Sequence, residues 1–99
     1  MDKLFVLVRD DLSKSQQAVQ GGHAVAEYLR RVPTSWNNGT LVYLSVKNEI
    51  ELEDWADKLT IFGIKWAGFR EPDRDNELTA ISVVHDERFF KKLKLLDLE

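Results

Sequence analysis

The chain has 99 residues, of which 43% are hydrophobic and 31% charged, and its formal net charge is -3. This size and composition indicate one globular domain spanning residues 1–99. The absence of cysteine excludes disulfides and thiolate metal sites, which fits a reducing cytoplasm. The longest apolar runs, LFVLV and AISVV, are too short to span a membrane, so we expect a cytoplasmic protein without a membrane partner.

The charge is unevenly distributed along the chain. The acids Glu49, Glu51, Glu53, Asp54 and Asp57 fall within one short segment that contains no base. The simplest interpretation is that they lie near a helix N-terminus, where the helix dipole favours negative charge. The rest of the chain is slightly basic, which leaves room for a local surface that contacts phosphate.

The first half of the chain predicts a strand, a helix and a second strand. Residues Lys3–Arg9 form an apolar run rich in strand formers. A helix follows, capped by Ser13 or Ser15 and ended by Pro33. After the turn signal Asn-Asn-Gly, residues Thr40–Val46 read as the second strand.

The second half predicts a helix, two strands and a final helix. Asn48 is placed to cap a helix that ends at Gly63, with apolar surface from Ile50, Trp55, Leu59 and Phe62. Strands are predicted over Ile64–Glu71 and Leu78–His85, and a short helix from Asp86 to Leu96. This order favours a three-layer α/β fold with a four-stranded, mixed, mostly parallel sheet flanked by helices.

The first helix contains two adjacent glycines in its interior, where each destabilises a helix by about 1 kcal/mol relative to alanine. An apolar stripe at helical spacing predicts the buried face: Ala18, Gly22, Val25, Leu29 and Val32. Gly22 on this stripe would let the helix backbone approach the sheet closely, or leave room for a ligand. Gln16, Gln20 and His23 fall on the polar face, where they could bind a polar ligand or simply be solvated.

Polar residues also follow two predicted strands. Arg9 and Asp11 come after the first strand, and Arg70 and Glu71 end the third. Ligands of open α/β sheets bind beyond the carboxyl ends of the strands. The first helix begins just after Asp11, so its N-terminus could hold an anion there. The alternative is an arginine–carboxylate pair that joins two loops.

Three sequence segments resemble those of the class II peptidyl-tRNA hydrolases of archaea and eukaryotes. The segment VRDDLSKSQQAVQGGHA is similar to the opening family motif, Arg-x-Asp-Leu followed by Ala-x-Gln-x-x-His-Ala. Its matching residues are Arg9, Asp11, Leu12, Ala18, Gln20, His23 and Ala24. The segment FREPDRDNELTAISVV resembles the second motif, and Leu93–Leu96 resembles the family's terminal Leu-Lys-Leu-Leu. The resemblance implies the family's fold over nearly the whole chain.

The resemblance also implies an activity, namely hydrolysis of the ester between a peptide and the terminal ribose of tRNA, without metal or cofactor. Glu71, at the position of the family's catalytic aspartate, would orient or deprotonate water. His23 would carry a proton, and Thr79 with Gln20 would hydrogen-bond the ester or the oxyanion. The implied substrate-binding residues are Arg9, Asp11, Lys14, Gln16, Gln20 and Arg70, with Gln16 where the family has a functional lysine.

Two other functions remain open at this point. A module of the same fold could bind tRNA ends or small nucleotides without cleaving them. Gln16 favours this reading, as do the turn after Leu12 and the loop from Pro72 to Asn76, which are both shorter than in the family. A small interaction protein without a ligand is the third reading. The family contains monomers and dimers, and an exposed Trp36 would favour a homodimer.

Overall fold

The computed structural model describes residues 2–97, which form five strands, two α-helices and two short 3₁₀ turns. In chain order the elements are β1 (Asp2–Arg9), α1 (Lys14–Arg31), β2 (Leu41–Val46), α2 (Glu49–Ile61), β3 (Ala67–Glu71), β4 (Glu77–Asp86) and β5 (Lys94–Leu95). The 3₁₀ turns lie at Pro72–Arg74 and Glu87–Phe90. The predicted order of the first six strands and helices is confirmed.

Local side-chain chemistry fixes the ends of both helices. The Ser13 hydroxyl accepts a hydrogen bond from the Gln16 N–H, so Ser13 caps α1. Asn48 caps α2 in the same way by accepting from the Glu51 N–H. Gly63 follows α2 with φ of 71°, a left-handed conformation that glycine adopts without strain. These predicted helix boundaries are confirmed.

The sheet has the strand order β3-β4-β1-β2-β5 and is mixed. β1 pairs parallel with β2 and antiparallel with β4, while β3–β4 and β2–β5 are antiparallel. The sheet of residues 2–97 therefore has five strands instead of the predicted four, and one parallel pairing instead of a majority. β4 enters between β1 and β3 in the opposite direction, because a short turn joins it to β3.

The fifth strand replaces the helix predicted from Asp86 to Leu96. The segment Lys92–Leu95 alternates charged and apolar residues, which is a strand period and not a helical one. Phe90 ends the preceding turn and is buried, with its ring 4.7 Å from that of Phe5 and 5.5 Å from that of Trp55. After the buried Phe90 the chain turns and runs antiparallel to β2, where the Leu96 N–H donates to the Tyr43 carbonyl.

The two helices cover opposite faces of the sheet. Ala24 of α1 packs with Val6, Val8 and Ala80. Leu52 and Leu59 of α2 belong to the other core cluster, which contains Phe5 and Leu7 of β1. Because successive side chains of a strand point to opposite faces, the architecture has three layers, as predicted. Neither helix of the described residues is long and apolar enough to cross a membrane.

The buried face of α1 differs from the predicted apolar stripe. The buried residues are Gln17, Gln20, Gly21, Ala24 and Tyr28. Leu29 of the predicted stripe is 47% exposed, and a Cβ on Gly22 would meet nothing within 4 Å. The same Cβ on Gly21 would lie 2.5 Å from Tyr43 Cε2. Close approach to the sheet thus occurs at Gly21, and the assignment of this role to Gly22 is wrong.

The buried face of α2 also differs from its prediction. Leu52, Ala56 and Leu59 are buried, whereas Ile50 is 74% and Phe62 64% exposed. Trp36, whose exposure would have favoured a dimer, is only partly exposed, and its indole N–H donates to the Thr40 carbonyl at 3.1 Å. A homodimer stays an untested prediction.

Candidate functional site

The site lies where the carboxyl ends of β1 and β3 meet the first half of α1. These two strands run in the same direction, since each is antiparallel to β4. A tight loop joins β3 to β4, and Asp75 and Asn76 both adopt positive φ there, of 54° and 60°. The Asn76 N–H closes the loop on the Glu71 carbonyl at 3.0 Å. The loop therefore holds Glu71 and Glu77 side by side across the hairpin.

A hydrogen-bonded chain links three of the predicted site residues. Gln20 donates from Nε2 to Glu71 Oε2 at 2.8 Å, and its Oε1 accepts from the Thr79 hydroxyl at 2.8 Å. Thr79 is fully buried, and Gln20 is 5% exposed. An ionised carboxylate can only accept, so Gln20 must turn its NH₂ toward Glu71 and its oxygen toward Thr79. Glu71 thereby fixes the orientation of the amide, and the Thr79 hydroxyl satisfies the amide oxygen.

The Glu71 carboxylate is stabilised in its charged form. The hydrogen bond from Gln20 contributes most to lowering the pKa of Glu71 below its ordinary value of 4.5, and the Asp73 N–H adds to the effect. The charges of His23 and Arg74 lower the pKa of Glu71 further. Glu71 is therefore ionised throughout the neutral range, which suits a group that orients water better than one that removes its proton.

We expect Gln20→Met to raise the pKa of Glu71 toward 4.5. Methionine keeps a similar shape but cannot donate, and the Thr79 hydroxyl still has the Phe69 carbonyl at 3.1 Å as an acceptor. NMR titration of the Glu71 side-chain carboxyl measures the change. Gln16→Met, at an exposed position one turn earlier, is the control and should leave the titration unchanged. An unaltered Glu71 pKa in Gln20→Met would show that Gln20 does not hold the carboxylate.

His23 lies on α1 next to this chain of hydrogen bonds. Its imidazole stacks on Phe69 of β3, with ring centroids 4.3 Å apart and an interplanar angle of 13°. The His23 residue as a whole is exposed. This stacking fixes the ring plane while leaving access to solvent. It places the imidazole within the electrostatic reach of Glu71.

Arg9 is the buried cation of a partly exposed ion-pair network beneath the loop. Its side chain is 5% exposed and binds Asp11 through two hydrogen bonds, of 3.0 and 2.9 Å, and Glu77 through one of 2.8 Å. Arg9 also donates to the Leu78 carbonyl at 3.1 Å. The hydrogen bond from Arg9 is the main cause of the lowered pKa values of Asp11 and Glu77. Arg9 thus joins two loops, which was the alternative to phosphate binding.

The other predicted substrate-binding residues do not join this cluster. Arg70 binds Glu53 of α2 at 3.1 Å and the Asn76 carbonyl at 3.3 Å. Lys14 donates to the Asp97 carbonyl at 2.6 Å, near the N-terminus of α1. Gln16 is exposed on the first turn of α1. Their roles in binding substrate stay predictions, and the central cluster consists of Gln20, His23, Glu71, Thr79, Arg9 and Asp11.

The sequence pattern did not indicate two residues that contribute to the site, Phe69 and Arg74. Phe69 supplies the surface on which His23 stacks, and its position before Arg70 gave no signal of this. Arg74 lies in the loop, with Nε 3.5 Å from Glu77 Oε1, and its charge lowers the pKa values of Asp11, Glu71 and Glu77. The available signal was its position in the sequence, three residues after the predicted catalytic residue Glu71.

A concavity of about 360 Å³ borders the site through Phe69 and extends along β3. Trp66, Gly68, Arg70 and Leu78 line it, together with residues of α1. Within residues 2–97, no three His, Asp or Glu side chains approach closely enough to hold a metal ion.

Comparison with known proteins identifies the architecture but no family. No family model and no curated protein matches the chain. Among solved structures, its fold is similar to that of Atu0240, a protein of unknown function from Agrobacterium tumefaciens, with a TM-score of 0.72 over 97% of this chain and 98% of that chain. The two sequences are 14% identical, so the similarity concerns the fold alone.

Proposed function

We propose that the protein hydrolyses the ester bond between a peptide, or an N-blocked amino acid, and tRNA, releasing free tRNA. The observation that carries this proposal is the hydrogen-bonded chain from Thr79 through Gln20 to Glu71, with His23 beside it. The residues come from two motifs far apart in the sequence, and both motifs resemble those of class II peptidyl-tRNA hydrolases. That these residues meet supports a common chemical role.

In this proposal Glu71 accepts a hydrogen bond from water and aims its oxygen at the ester carbonyl carbon. The water oxygen forms the new bond to carbon, and the bond from carbon to the ribose oxygen then breaks. His23 takes the proton that water loses and returns it to the departing ribose oxygen. Arg74 is the nearby cation that would stabilise negative charge developing on the carbonyl oxygen.

The contacts revise two roles that the resemblance implies. The polar atoms of Gln20 and Thr79 are buried and bonded to each other and to Glu71. We therefore assign both as positioning residues for the carboxylate, not as groups that touch the ester. Lys14 remains an exposed cation for a tRNA phosphate, while Arg9 is enclosed by carboxylates.

One observation favours the second candidate, a module that binds tRNA ends or nucleotides without cleavage. The lowered pKa of Glu71 makes this carboxylate a weak proton acceptor. If His23 does not take the proton from water, the same geometry holds a ligand and leaves its ester intact. The two candidates therefore differ in turnover and not in affinity.

We expect Glu71→Gln to reduce hydrolysis of N-acetyl-aminoacyl-tRNA by at least about 100-fold, because a neutral amide cannot accept and orient water in the same way. Release of free tRNA measures the rate, and thermal unfolding checks that the fold is intact. Glu51→Gln on α2 changes the same charge away from the site and should keep full activity. Binding without any wild-type hydrolysis would select the second candidate, and equal rates for Glu71→Gln and wild type would remove Glu71 from the reaction.

A further inference from the structure

The edge of the sheet next to the site is open. β3 is the outermost strand and, among residues 2–97, pairs only with β4. The Phe69 carbonyl accepts a hydrogen bond from Thr79 of β4, so Phe69 turns its backbone groups inward. Adjacent residues of a strand turn theirs to opposite sides, and Gly68 therefore directs its N–H and C=O to the open edge. Such an edge can accept a further strand.

A groove follows this edge, and we call it the β3-edge groove. It has a volume of about 360 Å³ and is lined along the chain by Trp66, Gly68, Phe69 and Arg70, with Arg31 of α1 on its rim. Arg31 shares the Glu27 carboxylate with Arg30, at 2.6 and 2.8 Å, so this part of the rim keeps a net positive charge. The groove thus combines aromatic surface with free backbone groups, which are the two features that bind extended peptides.

We propose that the β3-edge groove binds the peptide portion of the substrate as an added strand. This inference rests on the proposed hydrolase function and names the part of the substrate that the same site recognises. β3 leads from the groove directly into Glu71, the residue assigned to orient water. A strand advances by roughly 3.3 Å per residue, so Gly68 lies about 10 Å from Glu71. When the ester carbon is at Glu71, the two or three preceding residues reach the groove.

The direction of the bound peptide follows from the chemistry of the ester. The acyl carbon is the carboxyl end of the peptide, and it must lie at Glu71, where β3 itself ends. The peptide therefore runs in the same direction as β3 and forms a parallel pairing with it. Main-chain hydrogen bonds supply the affinity, so sequence preference is weak, as a protein acting on varied peptides requires. The benefit of added length ends after about four residues, because β3 itself has five.

Three substrates on the same tRNA test this proposal: an N-acetyl amino acid, an N-acetyl tripeptide, and that tripeptide with methylated internal amide nitrogens. We expect the tripeptide to raise kcat/KM about five- to tenfold over the single residue, as one or two added backbone hydrogen bonds would do. N-methylation removes the donors and should abolish this gain. Equal kcat/KM for all three substrates would overturn the groove assignment and leave the hydrolase function standing. Absence of hydrolysis for all three would refute the hydrolase function and the inference that rests on it.

A binding experiment locates the contact without turnover. The free N-acetyl tripeptide amide should shift the backbone amide NMR signals of Gly68 and Arg70, and its N-methylated form should not. The opposite sheet edge, Lys94–Leu95, is the internal control and should be unaffected. Shifts at Lys94–Leu95 in place of Gly68, or no shifts at peptide concentrations above the measured KM, would overturn the proposal.

Discussion

Replacing Arg9 by methionine should lower the free energy of unfolding by about 2 kcal/mol, because its guanidinium is buried while its carboxylate partners are partly exposed. The Arg9 side chain is 5% exposed and holds Asp11, Glu77 and the Leu78 carbonyl together. Methionine fills most of the space but leaves these acceptors without their donor. Urea denaturation followed by tryptophan fluorescence measures the loss. A midpoint equal to that of the wild type would mean that water replaces Arg9 without penalty.

The chain offers a matched control in Arg88→Met. Arg88 binds Asp86 through the same pair of atoms, Nε and Nη2, at 3.0 Å each, but its side chain is 87% exposed. Exposed pairs of this kind contribute little to stability, so the urea midpoint should hardly move. A comparable loss in both variants would show that burial does not decide the effect.

The stabilisation by Arg9 should also depend on pH. The folded-state pKa values of Asp11 and Glu77 are lowered from 3.8 and 4.5, so their contribution is complete above these unfolded-chain values. It is lost as the pH falls below them and the carboxylates protonate. The difference in stability between wild type and Arg9→Met should therefore stay constant from about pH 7 to about pH 5 and shrink as the pH falls below about 4.5. A difference that stays constant over the whole range would attribute the effect to packing instead of charge.

Replacing Gly21 by leucine should also destabilise the protein, by about 1–2 kcal/mol, because it overpacks the contact between α1 and the Tyr43 side chain of β2. A Cβ at this position would lie 2.5 Å from Tyr43 Cε2 and 2.8 Å from its hydroxyl oxygen. The helix and the Tyr43 ring must then separate, and the gain in helix propensity offsets only part of this penalty. Thermal or urea unfolding measures the change.

Gly22→Leu is the matched control on the next residue. A Cβ there would meet nothing within 4 Å, so the substitution should raise stability by about 0.5–1 kcal/mol through helix propensity alone. Comparing the two variants separates the effect of close packing from the effect of helix propensity, since both glycines lie in the interior of α1. Destabilisation by Gly22→Leu as large as that by Gly21→Leu would contradict the observed packing of α1.

The place of the site could be predicted from the sequence. Arg9 and Glu71 each end a strand, and carboxyl ends of similarly directed strands meet at one edge of a sheet. This expectation survived the change in sheet topology, because β1 and β3 keep the same direction although β4 lies between them. The caps Ser13 and Asn48 were predictable for a local reason, since each bonds an N–H three residues later.

The orientation of α1 could not be predicted from its apolar pattern. That pattern marks buried surface only where polar residues stay outside, whereas Gln17 and Gln20 are both buried. Each finds a specific partner: Gln17 donates to the Leu12 carbonyl at 2.9 Å, and Gln20 joins Glu71 and Thr79. A buried amide is stable when it is bonded, and its partners lie on other elements that a helical period does not contain. These hydrogen bonds place Gln17 and Gln20 on the buried face of α1, which therefore differs from the face that the apolar pattern predicts.

The central position of β1 has a consequence for folding during synthesis. β1 emerges from the ribosome well before its neighbour β4, because α1, β2, α2 and β3 lie between them in the chain. The contact between Lys3 and Glu87 joins residues 84 positions apart in the chain. One edge of β1, with its backbone N–H and C=O groups, therefore stays unpaired until β4 is made, and pairings this distant in sequence form slowly. Chaperone demand should thus be greatest in the interval between release of α1 and release of β4.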